Sequence, residues 1–445
     1  MILAMERTSD PGAARDRRTV ARPTKRIVLS TFGSLGDLYP YLAIALGLKE
    51  RGHAPIIATS ATYRQTVEGL GLEFHPVRPD VPDPSQMPGK MRRFMDQRRG
   101  TELVIKEWIL PALRDSFDDL MKAADSADAI VSHTLTFAVP LVAELRSITW
   151  ISTALQPGAL FSVHDPPLVA QTAPFVGASF LGPWFWRHYR RLVNGIAKGW
   201  FAPLHALRAE LGMPLEETVP LLDGHSPLLV LALFSPHLAR PQPDWPAKTV
   251  ATGFPFLTAP GEGTLPPELD AFLRAGSAPI VFTLGSSAVM TPGTFYDASI
   301  EAATRLRCRA VLMVGKDAPV RPRLGLRDVL AVDYVPHAAI FPRAAAIVHQ
   351  GGIGTTAEAM RSGRPMVVVP FAHDQPDNAR RVERLGISRT IPRQQYTVRR
   401  AVSNLRRVLE DPIYARRAAD VGRRIRTEDG VGTACAALEQ VIREH

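Results

Sequence analysis

AAAIVHQGGIGTTAEAMRSGRPMVVVPFAHDQPDNA, residues 344–379, contains two short apolar runs separated by a glycine cluster and a helical segment. A strand, a glycine-rich turn, a helix and a second strand form a β–α–β unit, which places the strands in a parallel sheet. Glycines at a helix start expose backbone N–H groups, and these bind anions. The stretch therefore predicts an α/β fold with a phosphate-binding turn.

Three interpretations of the glycine cluster are open from these residues. The run from Gly352 to Ala357 matches the G-x-G-x-x-G/A pattern of nicotinamide dinucleotide sites, and Asp374 follows about 20 residues later. Asp374, however, follows the second strand only after Phe371, Ala372 and His373, where it is typical of a helix cap. The cluster could also be a tight turn without a ligand, or it could bind the diphosphate of a nucleotide sugar, which we favour.

The rest of the chain repeats the alternation of apolar strands and helices in two series. We predict a tail without regular structure at 1–24, an N-terminal Rossmann-like domain at 25–235 and a second such domain at 270–425. The proline-rich passage 236–269 is predicted to be a linker, and 426–445 a helix that returns to the N-terminal domain. Pro40 is expected in the first turn of the helix after the first strand. In sheets of this kind, ligands bind beyond the carboxyl ends of the strands.

Composition limits the function classes. The 445 residues carry a formal net charge of +10, but the arginines are scattered and no nucleic-acid recognition motif accompanies them. Two cysteines, Cys308 and Cys435, give neither a disulfide framework nor metal-ligand spacing, which favours a cytoplasmic setting. No apolar run is long enough to span a bilayer, and the N-terminus has no signal-peptide pattern.

The segments YVPH (334–337), HQGGIGTTAE (349–358), GRPMVVVPF (363–371) and HDQPDNA (373–379) occur in the order and spacing of a known donor-binding motif. In this the chain resembles family 1 glycosyltransferases with the GT-B fold, especially bacterial enzymes that modify lipids, sterols, macrolides and other natural products. GSLGDLYP (33–40) is similar to the first loop of that family. The resemblance implies two facing Rossmann-like domains with a cleft between them.

The resemblance also implies a donor site for a UDP- or dTDP-sugar, which is a co-substrate; no cofactor or metal is expected. Tyr334 would stack on the base, His337 would contact it and Glu358 would hold the ribose. Asp374 and Gln375 would hold the sugar hydroxyls. The remaining donor-binding positions would be Gly33, Ser34, Gly36, Gly285, Ser286, Ser287, Val335, Gly351, Gly352, Gly354 and Thr355.

One position departs from the family pattern. Many relatives place a histidine directly before the two glycines, where this chain has Gln350, with His349 one position earlier. Successive side chains of a strand point to opposite faces, so only one of the two can point at the diphosphate from the strand. The sequence does not decide which, and both are expected nearby.

The catalytic base is expected from the N-terminal domain. Asp37 lies in a glycine-flanked loop after the first strand and matches the family's Asp or His base. It could instead cap the following helix, and both roles can coexist. His133 ends another strand and could orient Asp37, relay its proton or be structural. The family implies inversion at the anomeric carbon.

The segment 155–192 is apolar and aromatic and then abruptly basic, which favours a hydrophobic acceptor. Its end, FLGPWFWRHYRR (180–191), is either a pocket-wall helix or a contact with an anionic membrane surface. The sequence thus predicts a cytoplasmic, inverting glycosyltransferase that transfers a hexose or deoxyhexose to a hydroxyl of a hydrophobic small molecule or lipid. The alternatives are a nucleotide-sugar epimerase of the same fold and a non-enzymatic basic binding module.

Overall fold

A computed structural model of the chain describes residues 23–81, 88–168, 172, 182–214, 219–258, 265–315 and 327–445. The expected tail therefore lies outside the described residues up to position 22, as does most of the apolar stretch 169–181. The described strands are β1 Arg26–Ser30, β2 Ala54–Thr59, β3 Glu73–Pro76, β4 Ala129–Ser132, β5 Thr149–Ala154, β6 Val230–Ala232, β7 Thr249–Ala251, β8 Ile280–Thr283, β9 Ala310–Met313, β10 Val329–Val332, β11 Ala346–His349, β12 Met366–Val368 and β13 Ser388–Thr390.

The α-helices lie between and after these strands. They are α1 Leu35–Glu50, α2 Arg64–Gly69, α3 Pro88–Phe94, α4 Gly100–Val104, α5 Leu113–Ala123, α6 Val139–Arg146, α7 Gly182–Lys198, α8 Ala202–Glu210, α9 Pro220–Asp223, α10 Pro267–Arg274, α11 Gly285–Ala288, α12 Phe295–Arg305, α13 His337–Ile340, α14 Ile353–Ser362, α15 Gln375–Arg384, α16 Val398–Glu410, α17 Pro412–Ile425 and α18 Gly430–Glu444. None of these helices combines the length and apolar content needed to cross a bilayer.

The strands form two parallel sheets. The first has the order β3-β2-β1-β4-β5-β6-β7, and the second has the order β10-β9-β8-β11-β12-β13. Both are covered on two faces: Val28 packs into one apolar cluster of the first sheet, while its neighbours Ile27 and Leu29 pack into another. Because both faces are buried, the strands read as continuous apolar runs. The fold class is therefore the expected one, two Rossmann-like domains.

Helix α1 begins earlier than the sequence suggested. Ser34 is its N-cap and Asp37 is its third residue, so Pro40 lies inside the helix rather than in its first turn. The carboxylate of Asp37 accepts a hydrogen bond from the Ser34 backbone N–H, which is the reciprocal half of a capping box. Asp37 is therefore not the N-cap residue, although it stabilises the start of the helix.

The proline-rich passage 236–269 contains a regular element that the sequence did not reveal. Strand β7 pairs in parallel with β6 and forms the edge of the first sheet. An edge strand needs hydrogen bonds on one side only, so prolines nearby are tolerated. The first domain thus continues into the passage that we had assigned to a linker, and α10 begins at Pro267 inside the same passage.

Helix α18 packs on the N-terminal domain. A Cβ added to Gly47 of α1 would lie 3.1 Å from the Cys435 sulfur. Beside this contact, Glu439 lies 3.4 Å from His53 Nε2 and 3.6 Å from an Arg51 nitrogen. The last helix of the chain therefore covers the first helix of the fold.

Candidate active site

The turn after β1 holds Asp37 at the cleft. Gly33 has φ +134°, and a Cβ there would lie 2.3 Å from Asp37 Oδ2, so a side chain does not fit. Oδ2 accepts hydrogen bonds from the Ser34 backbone N–H (2.7 Å) and the Ser34 hydroxyl (3.1 Å). The side chain of Asp37 is 31% exposed. One oxygen is thus fixed by the turn while the carboxylate remains accessible.

His133 lies behind Asp37 at the end of β4. Its Nδ1 accepts a hydrogen bond from the Leu135 backbone N–H (3.2 Å), so the neutral ring carries its proton on Nε2. Nε2 lies 3.8 Å from Asp37 Oδ1. Burial lowers the pKa of His133, and the charge of Asp37 offsets only part of that effect. The geometry places a neutral N–H facing the carboxylate at a distance longer than a hydrogen bond.

The glycine turn after β11 faces this first turn across the cleft. Gly351 has φ +89°, and Gly352 is the N-cap of α14. A Cβ added to Gly354 would lie 3.6 Å from Gly36 Cα of the opposite domain. The two turns therefore meet at one place, and the N-terminus of α14 points there with its unpaired N–H groups.

Gln350, rather than His349, lies in the glycine turn. Cβ atoms added to Gly285 and Gly352 would lie 2.3 Å and 2.9 Å from Gln350 Nε2, so its amide fills the space between these glycines. Nε2 also lies 3.4 Å from Thr355 Oγ1. Gln350 Oε1 is buried without a hydrogen-bond partner among the described residues.

His349 lies next to the glycine turn, as expected, but on its buried side. Its side chain is fully buried, with Nδ1 accepting from the Gly351 N–H and Nε2 3.4 Å from the Met366 sulfur. Burial, with a smaller contribution from His337, lowers the pKa of His349 to about 3. The ring is therefore a neutral core residue that fixes the turn from behind.

In the predicted base-binding segment, too, one side chain is exposed at the cleft while others are buried. Tyr334 is 55% exposed, and its hydroxyl lies 3.5 Å from the hydroxyl of Tyr39 on α1. His337 stacks on Phe341 with ring centroids 4.5 Å apart, and burial lowers its pKa to about 4. Val335 is fully buried in the core of the second domain, so its predicted donor contact does not involve its side chain.

Glu358, the predicted ribose-binding acid, forms an ion pair one turn along its own helix. Its carboxylate accepts from Arg361 Nη2 at 2.8 Å and from Arg361 Nε at 3.1 Å. The Arg361 guanidinium in turn lies 4.0 Å from the centroid of the Phe256 ring. A carboxylate has about four lone-pair sites, so a ribose hydroxyl could still bind beside the arginine.

Asp374 and Gln375 are held at the start of α15. Asp374 Oδ2 accepts from Asn378 Nδ2 at 2.6 Å instead of capping the helix backbone. Burial and then the negative charge of Asp37 raise the pKa of Asp374 to about 7. Gln375 Oε1 accepts from the Phe371 and Ala372 N–H groups at 2.8 and 3.1 Å, so a sugar contact would come from its NH₂ group.

Two residues of this site were missed by the sequence reasoning. His373 has φ +57°, and its Nδ1 lies 3.1 Å from Thr101 Oγ1 of the opposite domain. Burial lowers the pKa of His373, and Asp37 raises it in part. Asn378 joins Asp374, of the predicted sugar-binding pair, to the glycine turn, because Nδ2 also donates to the Gly351 carbonyl at 2.9 Å. Both lie within HDQPDNA, whose position in the motif was the available signal.

The serine turn after β8 completes the wall of the cleft. Gly285 has φ +63° and faces the Gln350 amide, while Ser286 is exposed and Ser287 half-buried. Within the described residues, no group of three His, Cys, Asp or Glu side chains has the arrangement of a metal site. The arrangement can bind a diphosphate at backbone N–H groups and place a carboxylate opposite it.

Comparison with known proteins gives the family. Residues 27–149 match the glycosyltransferase family 28 N-terminal domain, and residues 312–429 match the erythromycin biosynthesis protein CIII-like C-terminal domain. The chain is 31% identical over 428 residues to O-mycaminosyltylonolide 6-deoxyallosyltransferase of Streptomyces fradiae, covering 93% of this chain and 97% of the relative. The chain therefore belongs to the family of glycosyltransferases that includes this deoxyallosyltransferase.

The glycosyltransferase is also similar to larger proteins. It is 28% identical to a sterol 3-beta-glucosyltransferase of Arabidopsis thaliana over 94% of its own length and 65% of the plant protein. It spans 29% of a sterol 3-beta-glucosyltransferase of Aspergillus fumigatus, again at 28% identity.

Solved structures agree on the fold. The glycosyltransferase of kitacinnamycin superposes with a TM-score of 0.64 at 25% identity, covering 94% of this chain and all of that one. The calicheamicin glycosyltransferase CalG4 gives a TM-score of 0.68 at 17% identity, covering 94% and 98%. VinC in complex with dTDP gives a TM-score of 0.64 at 21% identity, covering 94% of this chain and all of VinC. The protein is therefore a glycosyltransferase with the GT-B fold, and the nicotinamide, epimerase and binding-module alternatives find no support.

Proposed function

We propose that this glycosyltransferase inverts the anomeric carbon while it transfers a hexose or deoxyhexose from a UDP- or dTDP-sugar to a hydroxyl of a hydrophobic acceptor. The observation that carries the proposal is the approach of the two turns, 3.6 Å between a Cβ on Gly354 and Gly36 Cα. It brings the predicted base, Asp37, and the predicted diphosphate turn to one cleft.

The reaction follows from this opposition. Asp37 accepts the proton of the acceptor hydroxyl, and the oxygen attacks the anomeric carbon from the side opposite the diphosphate. The bond between that carbon and the phosphate oxygen breaks, and the nucleotide diphosphate leaves with the electron pair. The N–H groups at the start of α14 stabilise the charge that develops on the leaving group. Backside attack gives inversion.

The donor and acceptor classes rest on the relatives and on local chemistry. The Streptomyces fradiae relative is named as a deoxyallosyltransferase, and VinC was solved with dTDP. The sterol glucosyltransferases favour an apolar acceptor, as does the cluster of Phe161, Val163 and Trp186 beside the N-terminal domain. A cytoplasmic setting remains part of the proposal, since Cys308 and Cys435 are unpaired.

The test is product formation from a panel of UDP- and dTDP-sugars with apolar alcohols, followed by mass spectrometry and by NMR of the anomeric proton. Asp37→Asn keeps the side-chain shape and should lower kcat by about 10²–10⁴-fold, the usual contribution of a general base, while dTDP or UDP still binds. Asp420→Asn on the exposed surface of α17 is the matched control. Turnover of Asp37→Asn near that of the control would remove Asp37 from the mechanism.

The same assay tests the expected independence from metal. Backbone N–H groups take the place of a cation in this proposal, so activity should persist in EDTA. An activity that disappears with EDTA and returns with Mg²⁺ would contradict it.

A further inference from the structure

Helix α7 exposes an apolar stripe. Trp184, Leu192 and Ile196 are 69%, 61% and 63% exposed, and they account for three of the five large exposed hydrophobic side chains in the described part of the chain. With His188, they follow at steps of four residues, so they lie along one side of the helix. His188 continues the stripe, because its ring packs on Trp184 with centroids 4.4 Å apart.

Exposed cations border this stripe. Arg187, Arg191 and Lys198 are exposed and lie along one edge of it, at steps of four and seven residues. The sequence of α7, GPWFWRHYRRLVNGIAK, contains no acidic residue. The free side of the helix is therefore apolar along its length with a cationic margin.

The opposite side of α7 is fixed to the protein. Trp186 is 1% exposed and packs with Phe161 and Val163. Asp223 accepts hydrogen bonds from Arg190 and, at 2.7 Å, from Asn194 Nδ2. The helix is thus docked through this side on the described part of the protein.

We propose that the outward face of α7 binds the surface of an anionic lipid bilayer. An interfacial helix combines an apolar face, aromatic residues and a basic margin, and its binding grows with buried apolar area and with attraction to anionic lipids. A second copy of this chain fits less well, because two such faces would bring cationic margins together without acidic residues on either helix.

The position of α7 gives this contact a use, which rests on the proposed function. Its buried side contacts Phe161 and Val163, in the segment that we assign to the acceptor side. A bilayer against α7 would hold apolar alcohols close to that segment. The proposed surface therefore narrows the acceptor class to alcohols that partition into membranes.

The test is sedimentation with vesicles of phosphatidylcholine alone or with 30% phosphatidylglycerol, using full-length protein without donor or acceptor. Binding should be stronger with phosphatidylglycerol and should weaken as salt rises, since screening lengths are about 10 Å at 0.1 M. Leu192→Ser combined with Ile196→Ser should lower the partition coefficient roughly tenfold. Arg187→Ala with Arg191→Ala should remove the preference for phosphatidylglycerol.

Matched controls distinguish binding by this face from nonspecific binding by exposed apolar or charged side chains elsewhere on the protein. Leu145→Ser removes another exposed apolar side chain, and Arg399→Ala with Arg406→Ala removes two exposed charges from α16. Both should bind vesicles like the parent. No vesicle binding by the parent, or equal losses in controls and α7 variants, would overturn the proposal. So would sedimentation velocity showing a dimer that the Leu192→Ser, Ile196→Ser variant dissociates. None of these readouts depends on glycosyl transfer.

Discussion

Asp374 is poised between two protonation states. Its pKa is raised from 3.8 to about 7 by burial and by the negative charge of Asp37, while Asn378 holds one oxygen. The unfolded chain ionises near 3.8, so the folded protein loses stability as pH rises from there to about 7, and the loss is complete above it. An ionised carboxylate accepts hydrogen bonds more strongly than a protonated one, so in the proposed sugar-binding role of Asp374 donor binding and stability would have opposite pH preferences.

This predicts the behaviour of Asp374→Asn. The amide still accepts from Asn378 but carries no charge, so the apo variant should melt above the parent at pH 8. At pH 4 the difference should shrink, because the parent is then protonated. Differential scanning calorimetry at both pH values checks this. A variant that is less stable than the parent at pH 8 would contradict the raised pKa. In binding assays, the affinity of the variant for the sugar donor should fall, while its affinity for the free nucleotide should stay unchanged.

The proposed ribose contact of Glu358 predicts different affinity losses for UDP and dTDP when Glu358 is changed. Glu358→Gln removes the charge that can hold ribose hydroxyls, and a charge-assisted hydrogen bond contributes about 1.5–3 kcal/mol. UDP affinity should fall roughly tenfold. The loss for dTDP should be smaller, since deoxyribose has one hydroxyl fewer.

Titration calorimetry with both nucleotides measures the two losses. Glu301→Gln is the control, because Glu301 forms a similar helical ion pair with Arg305 on α12. Unchanged affinity for both nucleotides would exclude the ribose role and leave Glu358 as the partner of Arg361.

At the scale of the element, the turn from β1 into α1 depends on one glycine more than the other. Gly33 has a positive φ and no room for a Cβ, whereas a Cβ on Gly36 would meet only the Ser34 hydroxyl at 3.6 Å. Sequence reasoning treated the two as equivalent. The backbone conformation that separates them is set by the capping of α1 at Ser34.

Gly33→Ala should therefore lower both stability and turnover. Strain at such a position costs about 1–3 kcal/mol, and the added methyl group would displace Asp37. Gly36→Ala, in the first turn of a helix, should fold at least as well as the parent. Urea unfolding together with kcat tests the pair, and equal effects of the two substitutions would contradict the role of φ at Gly33.

At the scale of the whole molecule, Asp165 joins the two domains. It lies in the acceptor-side segment and pairs with Arg381 and, at 2.9 Å, with Arg384 on α15. Burial raises the pKa of Asp165, but these arginines outweigh it and hold the pKa below its usual value. Nearby, the Leu168 N–H donates to Asp377 Oδ1 at 2.8 Å. The segment that we propose for the acceptor side is thus tied to α15 of the second domain.

Asp165→Asn should weaken this coupling. Arg381 is 2% exposed and would keep Asp377 as its remaining acid, so we expect a loss of about 2 kcal/mol, below the full cost of breaking a buried pair. A carboxyl pKa that folding lowers gives its full stabilisation above the unfolded value, so the difference should begin to shrink as pH falls below about 4 and should vanish only below the lowered pKa of the folded protein. KM for the acceptor should rise more than kcat falls.

Thermal unfolding from pH 2 to 8, with steady-state kinetics at neutral pH, checks this prediction. Asp420→Asn, which affects the exposed pair with Arg423, is the control. A loss of stability that is independent of pH would mean that the arginines do not depend on the Asp165 charge.

The sequence by itself determined the α/β class, the two series of strands, the glycosyltransferase resemblance and most residues that line the cleft. These features are local: apolar runs, glycines at strand ends and motif spacing are fixed within a few positions of the chain. Strand β7 was missed because its three residues lie in the proline-rich passage 236–269, where no apolar run stands out.

Only the tertiary structure decided which face each side chain takes. Strand alternation required that His349 and Gln350 point to opposite faces. Because His349 packs against Met366 of the neighbouring strand, Gln350 is the residue whose side chain lies in the turn. Contacts between distant positions, such as Thr101 with His373, also have no local signature. Burial and charge accumulate over many segments, and so the raised pKa of Asp374 and the facing of Asp37 toward the glycine turn exist only in the folded chain.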